Sequence, residues 1–236
     1  MRNLFDNFGK IEENDPEFHE IFKNFAFDEV FEYSDLSQKD NILVILASLI
    51  ACQSPKAFKK ILSSALDYDI TPIEVKELLY QSVPYVGFAR AHNFFNVVNK
   101  VFKKKGIKIP LKIRSNTNSQ NRHEEGRKLQ NKYFGAENME VMRKASVEGQ
   151  KHFNTFLEGY CFGDFYTRDG LNDQQRELIT FVFISSLGGC ENQLRGHLQG
   201  NINVGNSKEK LISAITVILP YIGFPRSLNA LNIINE

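Results

Sequence analysis

The segment Pro84-Tyr85-Val86-Gly87-Phe88-Ala89-Arg90-Ala91-His92-Asn93-Phe94-Phe95-Asn96 recurs as Pro220-Tyr221-Ile222-Gly223-Phe224-Pro225-Arg226-Ser227-Leu228-Asn229-Ala230-Leu231-Asn232. Seven positions are identical at a constant offset of 136: Pro84/Pro220, Tyr85/Tyr221, Gly87/Gly223, Phe88/Phe224, Arg90/Arg226, Asn93/Asn229 and Asn96/Asn232. Upstream, Leu36-Ser37-Gln38-Lys39-Asp40 faces Leu171-Asn172-Asp173-Gln174-Gln175 at offset 135, so one residue is inserted between the two anchors. Repetition over so long a period marks a duplicated domain rather than a solenoid array. It also supplies an internal control, because a polar residue present in only one copy stands out.

Helix signals fill both copies. Ser37 can cap a helix whose Ile42, Leu43, Ile45, Leu46, Leu49 and Ile50 cover much of its circumference, which suits a core or an oligomer interface. Ser54-Pro55 is a cap followed by proline at the first helical position. Thr71-Pro72-Ile73-Glu74 adds an acid three residues on, as in a capping box. The helix it opens carries Val75, Leu78, Leu79 and Val83 and is expected to stop before Pro84. Gly87 then breaks the chain, and another helix is expected over about 88–104. The second copy predicts helices near 173–187 and 192–201, a Ser207-capped helix to about Leu219, and a last one after Pro225. Neither copy shows period-2 strands with hairpin turns, although Ile107, Ile109, Leu111 and Ile113 alternate over a short stretch. The expected fold is all-α: a first, degenerate repeat with N-terminal helices over 1–105, a polar linker over 106–121, and a second repeat over 122–236. The second unit should begin with helices near 122–133 and 138–160.

Composition narrows the function classes. With 42% apolar residues and 20 Phe among 236 residues, two units can each bury a core. A formal charge of +1 gives no reason to expect a nucleic-acid or acidic-membrane surface. The basic run Lys103, Lys104, Lys105, Lys108, Lys112, Arg114 lies at the domain junction and reads as a solvated linker ahead of a phosphate-binding patch. Cys52, Cys161 and Cys190 are few, odd in number and far apart, which favours a reducing compartment over a disulfide framework. No signal peptide is visible at the start, and no apolar run reaches the roughly 18 residues that span a bilayer. The expectation is a cytoplasmic protein without a membrane partner.

The chemistry gathers in Gly188-Gly189-Cys190-Glu191-Asn192-Gln193-Leu194-Arg195-Gly196-His197. Spacings of 3, 4 and 7 place Cys190, Gln193 and His197 on one helical face. A thiol at the helix start feels the positive end of the dipole, and an imidazole can exchange protons near neutrality. The preceding helix adds Glu177, which, among Leu178, Ile179 and Phe181, needs a partner that a histidine can supply. In the first copy Cys190 corresponds to Ser54, Gln193 to Ala57, His197 to Ile61 and Glu177 to Ile42. A purely structural network should often appear twice, so the asymmetry favours function. Pro and Gly in the shared corner read as architecture; Tyr221 could still offer its hydroxyl to a ligand, and Tyr85 has the same option but lacks an ionisable neighbour. Cys52 and Cys161 read as packing.

The chain resembles the carboxymuconolactone decarboxylase family, which also contains the peroxidase partners of alkyl hydroperoxide reductase systems. The likeness rests on Arg176-Glu177-Leu178 after Leu171, on Gln193-Leu194-Arg195-Gly196-His197-Leu198, on the Thr71–Glu74 element and on the Tyr221–Pro225 corner. Phe162-Gly163-Asp164, Arg168-Asp169-Gly170-Leu171, Gly126 and Phe134-Gly135 fit as well. The resemblance implies an all-helical, alkylhydroperoxidase-like fold assembled into rings of six domains, hence a homo-oligomer, typically a trimer, of two-domain chains. Peroxidase members resemble one another in a Cys-x-x-Cys pair, whose second position here is Gln193; neither Cys52 nor Cys161 is placed to replace it.

Three functions follow from this reading. The first is a carboxymuconolactone decarboxylase-like enzyme acting without cofactor on a small carboxylated lactone or related acid. His197 would be its acid/base, Glu177 would orient it, and Tyr221 or Gln193 would bind the lactone oxygen. Arg168 or Arg176 would grip the substrate carboxylate, while Arg195 faces another side and reads as a subunit contact. The second is a peroxiredoxin-type activity through Cys190 alone. The third is a non-catalytic oligomer that binds a small molecule.

Overall fold

A computed structural model describes residues 10–68 and 70–236; positions 1–9, the start of the expected first unit, lie outside the described residues. The first copy begins with α1 (Ile11–Asn14) and α2 (Pro16–Asn24), a π-helical segment Phe25–Glu29, and the single turn α3 (Val30–Glu32). It continues with α4 (Gln38–Ala51), α5 (Pro55–Ala65), α6 (Pro72–Val86) and α7 (Phe88–Lys104). After the connector come α8 (Arg122–Phe134), α9 (Ala136–Ala145), a 3-10 turn Glu148–Gln150, α10 (Lys151–Phe156) and a second π segment, Leu157–Tyr166. The second copy closes with α11 (Asp173–Leu187), α12 (Glu191–Asn203), α13 (Lys208–Ile222) and α14 (Phe224–Asn235). The fold is all-α, with no strand among the described residues, so the alternating isoleucines form none. Among these residues no helix is long and apolar enough to cross a membrane.

Ser37, Thr71 and Ser207 cap their helices as expected, whereas Ser54 precedes α5 without a side-chain cap bond, leaving Pro55 at the first position to mark that start. Ser37 Oγ accepts from the Asp40 amide at 3.0 Å. Thr71 with Glu74, and Asn172 with Gln175, close reciprocal capping boxes. The capped helices α4 and α11 are buried around almost their whole circumference and pack against each other, so the apolar run at 41–50 lies in the chain's own core. The neighbours cross over: α6 of the first copy also packs on α11 of the second, and α13 of the second packs on α4 of the first. This exchange brings each copy's Pro-Tyr-x-Gly-Phe corner to the other half.

Two expectations need correction. Helix α6 does not stop before Pro84 but runs to Val86, and α13 likewise passes Pro220. The proline loses its ladder bond and crowds the carbonyl four residues earlier, but the residues after it keep helical geometry until Gly87 and Gly223, at φ 82° and 79°, end the helices. The helix expected at 138–160 is broken at Ser146 and Val147, whose ψ angles of 129° and 141° are extended. Folding back lets Arg143 Nε donate to Glu158 Oε1 at 2.8 Å, with both side chains largely shielded from water. The second π segment then crosses α8 so closely that a Cβ on Gly126 would lie 1.8 Å from the Glu158 carbonyl oxygen. Only glycine permits that approach.

The connector is fastened rather than loose. Asn116 Nδ2 donates to the Thr167 carbonyl and to Asp169 Oδ1, both at 2.9 Å, and Thr117 Oγ1 donates to the Gly163 carbonyl at 2.7 Å. The Asp169 amide returns a bond to the Arg114 carbonyl at 3.1 Å.

Candidate active site

Glu177 sits in the middle of α11 with no solvent exposure, where an unpaired carboxylate would be prohibitively costly. Both of its oxygens are satisfied. His197, on α12, places Nδ1 at 2.9 Å from Oε2, and the carboxylate can only accept, so this nitrogen carries the proton. That leaves Nε2 as the ring nitrogen available to a ligand. Tyr166, the last residue of the second π segment, donates its hydroxyl to Oε1 at 2.9 Å.

Behind Tyr166 the donors line up. Its single proton goes to Glu177, so its oxygen accepts from Tyr85 Oη at 2.6 Å and from Thr180 Oγ1 at 2.9 Å. Gln81 Nε2 donates to Thr180 at 3.3 Å, and the Cys161 thiol points at Tyr85 Oη from 3.8 Å. Burial pushes the Tyr85 and Tyr166 hydroxyls well above the usual phenol range; the negative charge of Glu177 adds to the effect. Burial likewise pushes the Cys161 thiol up to about 12. The chain of hydroxyls therefore keeps its protons at neutral pH and delivers donors to one buried anion.

The second helix is set against the first by Asn201, whose amide nitrogen donates to the Glu177 and His197 carbonyls at 3.0 and 2.7 Å. Gly200 matters for a different reason. A Cβ there would sit 2.5 Å from Glu177 Oε2 and 2.7 Å from Phe134 Cε1, so its absence makes room for the carboxylate. The rings of Tyr85 and Phe134 meet the imidazole edge-on at 5.3 and 5.4 Å.

His197 opens onto a cavity of about 620 Å³ shared with Tyr85, Cys161, Cys190 and Gln193. Its outer wall is apolar: Phe88, Phe153 and Phe156 are more than half exposed. Cys190 occupies the N-cap of α12, seven residues before His197, or about 10 Å along the helix axis. The two line one cavity without forming a pair, and Cys190, Cys52 and Cys161 are all free thiols.

The expected substrate-binding residues divide. Gln193 lies at the cavity; Tyr221, Arg168 and Arg176 do not. Tyr221 packs edge-on against Phe22 at 6.2 Å, and its buried hydroxyl finds no partner among the described residues. The reason is the crossover of the corners: Tyr85, the equivalent tyrosine of the first copy, reaches the site of the second. Arg168 and Arg176 both turn to the buried carboxylate of Glu77, Arg168 through Nε and Nη2 at 3.0 Å and Arg176 through Nη2 at 3.1 Å. Arg176 also donates to Gln81 Oε1 at 2.9 Å. Arg195 is held by Glu236 through two bonds of 2.6 and 2.7 Å, within the chain. Sequence reasoning missed Tyr166, Thr180 and Gly200, and set Tyr85 aside for want of an ionisable neighbour; a buried carboxylate with two oxygens to satisfy was the one signal pointing to a partner beyond the histidine.

The model of the carboxymuconolactone decarboxylase family matches residues 16–100 and again 152–236. A curated protein, 4-carboxymuconolactone decarboxylase of Acinetobacter baylyi, is 26% identical over 119 residues, covering 50% of this chain and 88% of that protein. A crystal structure from Burkholderia xenovorans LB400, provisionally described as a gamma-carboxymuconolactone decarboxylase subunit, superposes with a TM-score of 0.51. It has 18% identity and covers 94% of this chain and 86% of its own, a likeness of fold.

Proposed function

Because the chain belongs to the carboxymuconolactone decarboxylase family, we propose that it is a decarboxylase of that kind, acting on a small carboxylated lactone or a related unsaturated ring acid. The observation that carries this reading is the Glu177–His197 pair at the wall of the cavity, with the carboxylate locked from behind by Tyr166. Breaking the bond between the ring and its carboxylate leaves an electron pair in the conjugated lactone. His197 Nε2, unprotonated in the resting tautomer, first takes up a proton from solvent; the imidazolium then delivers that proton to carbon and quenches the pair, which leaves the ring neutral again. Glu177 fixes the tautomer and compensates the imidazolium while it exists. Gln193 is the amide within reach of a ring oxygen, and the aromatic wall accommodates the apolar face of the ring.

The reading extends to assembly: a trimer of two-domain chains would cover the exposed Phe88, Phe153 and Phe156 at the cavity mouth, which is supported by their exposure in the single chain. A thiol peroxidase is less well supported, because Cys190 has neither a second sulfur nor an imidazole beside it.

The test is carbon dioxide release from 4-carboxymuconolactone by the purified protein. The wild type should turn over and His197→Ala should lose about a hundredfold or more in kcat. Turnover that His197→Ala leaves unchanged would overturn the assignment.

A further inference from the structure

The basic run at the domain junction meets other cations across a second cavity. This one, of about 660 Å³, lies between α6, Asn99 of α7, residues 109–114 of the connector, and Arg168. Lys76, Lys112, Arg114 and Arg168 line it, against a single acid, Glu77. Glu77 is already shared by Arg168 and Arg176. Among the described residues no ion pair reaches Lys76, Lys112 or Arg114. Lys76 Nζ donates to Asn99 Oδ1 at 2.7 Å, and burial lowers its pKa, the mark of a cation deprived of water without an acid in exchange. Arg114 Nε is buried and has no partner among the described residues. A buried guanidinium donor without a partner among the described residues, beside a half-buried Lys76 held only by Asn99 and the face of Phe102, carries a standing cost that an anion would remove. The wall is held in place by the bonds between the connector and residues 163–169, so the cations converge on a fixed space. The remaining lining is apolar, chiefly Ile73, Ile109 and Leu111, with the ring of Tyr80 stacked under Arg168 at 4.9 Å.

We propose that this cavity is a binding site for a small organic dianion with an apolar body, such as an aromatic or cyclic dicarboxylate, separate from the cavity that holds His197. Arg114 Nε and Lys76 would meet one carboxylate and Lys112 the other, while Ile73, Ile109 and Leu111 would pack on the ring. The inference is independent of the reaction proposed above, because none of these residues lines the first cavity.

Isothermal titration of the full chain with phthalate at low ionic strength tests it. We expect one saturable event that survives His197→Ala, and that weakens roughly tenfold or more in Lys112→Glu and in Arg114→Gln, the scale of one lost charge-assisted bond. Inorganic phosphate, lacking the apolar body, should bind roughly tenfold more weakly than phthalate. If Arg114→Gln melts early, Lys112→Glu decides alone, since Lys112 is exposed and its side chain makes no bond among the described residues. Absence of saturable binding, affinity unchanged in Lys112→Glu, loss of binding in His197→Ala, or phosphate binding as tightly as phthalate would each overturn the proposal.

Discussion

Tyr85 Oη lies 2.6 Å from Tyr166 Oη, a bond that joins residues 81 apart and belonging to different copies of the repeat. Through it the first copy, whose own counterparts of Glu177 and His197 are Ile42 and Ile61, supplies a donor to the site of the second. The duplicated tyrosine Tyr221 sits where no such network exists, and its hydroxyl is left without a partner among the described residues.

That difference predicts opposite outcomes for the same substitution. Tyr85→Phe removes a donor from the chain leading to Glu177 and should lower kcat by about tenfold. Tyr221→Phe removes an unsatisfied buried hydroxyl and should leave kcat unchanged and stability equal or about 1 kcal/mol higher. Steady-state kinetics and urea denaturation of the pair check both; equal effects on kcat would show that the corner is architecture alone.

Glu177→Gln keeps the shape but loses the charge that sets the imidazole tautomer. It should cost about a hundredfold in kcat and shift the pH profile, whereas Tyr166→Phe, which leaves the His197 bond intact, should cost less. A larger loss in Tyr166→Phe would place the tyrosine, not the carboxylate, next to the chemistry.

Gly200→Ala tests the space reserved for the carboxylate. The added methyl would press on Glu177 Oε2 and Phe134, both hemmed in, so destabilisation of about 1–3 kcal/mol is expected together with loss of activity. Gly196→Ala, on open surface of the same helix, is the control and should be silent or mildly stabilising.

Cys161 predicts a pH dependence. Its thiol is held up to about 12 in the folded chain against an ordinary 9.0, so between those values the unfolded chain binds fewer protons than the folded one. Unfolding free energy then falls as pH rises through this window, by at most about 1.4 kcal/mol per pH unit from this group. Below pH 9 its contribution is fully present. Urea midpoints from pH 8 to 11 should fall less steeply in Cys161→Ser than in the wild type; parallel slopes would remove the thiol from the account.

Cys190→Ser should keep kcat within about threefold, because loss of a true acid–base or nucleophilic group costs about a hundredfold. A sulfenate trap applied with stoichiometric peroxide should label Cys190 no faster than a thiol in the denatured chain. Rapid, selective labelling would restore the peroxide reading.

Much of the fold was legible because its signals are local. Ser37, Thr71 and Ser207 declare helix starts through side chains three residues from their partners, and Gly87 and Gly223 declare the ends. Pro84 misled because a proline disturbs the turn before it and not the residues after it, so the helix could run on to Gly87. The break at Ser146 is stabilised by Arg143 reaching Glu158, a pairing visible only once the chain has turned. In the site, Glu177 and His197 were readable from burial and from the contrast with Ile42 and Ile61. Tyr166 and Cys161 were not, since they lie in a π segment, where helical spacing no longer says which residues share a face. Arg176, expected at a substrate carboxylate, meets Glu77 instead, a partner 99 residues away on a helix of the other copy that no local spacing announces.

The crossing of the two corners makes the linker a tether and not a frontier. Severed there, one fragment would hold the imidazole and carboxylate without the phenol from α6, and the other would hold the phenol with nothing to serve. Two pieces that rebuild the chain of hydroxyls only when mixed is the behaviour such an interlaced architecture entails.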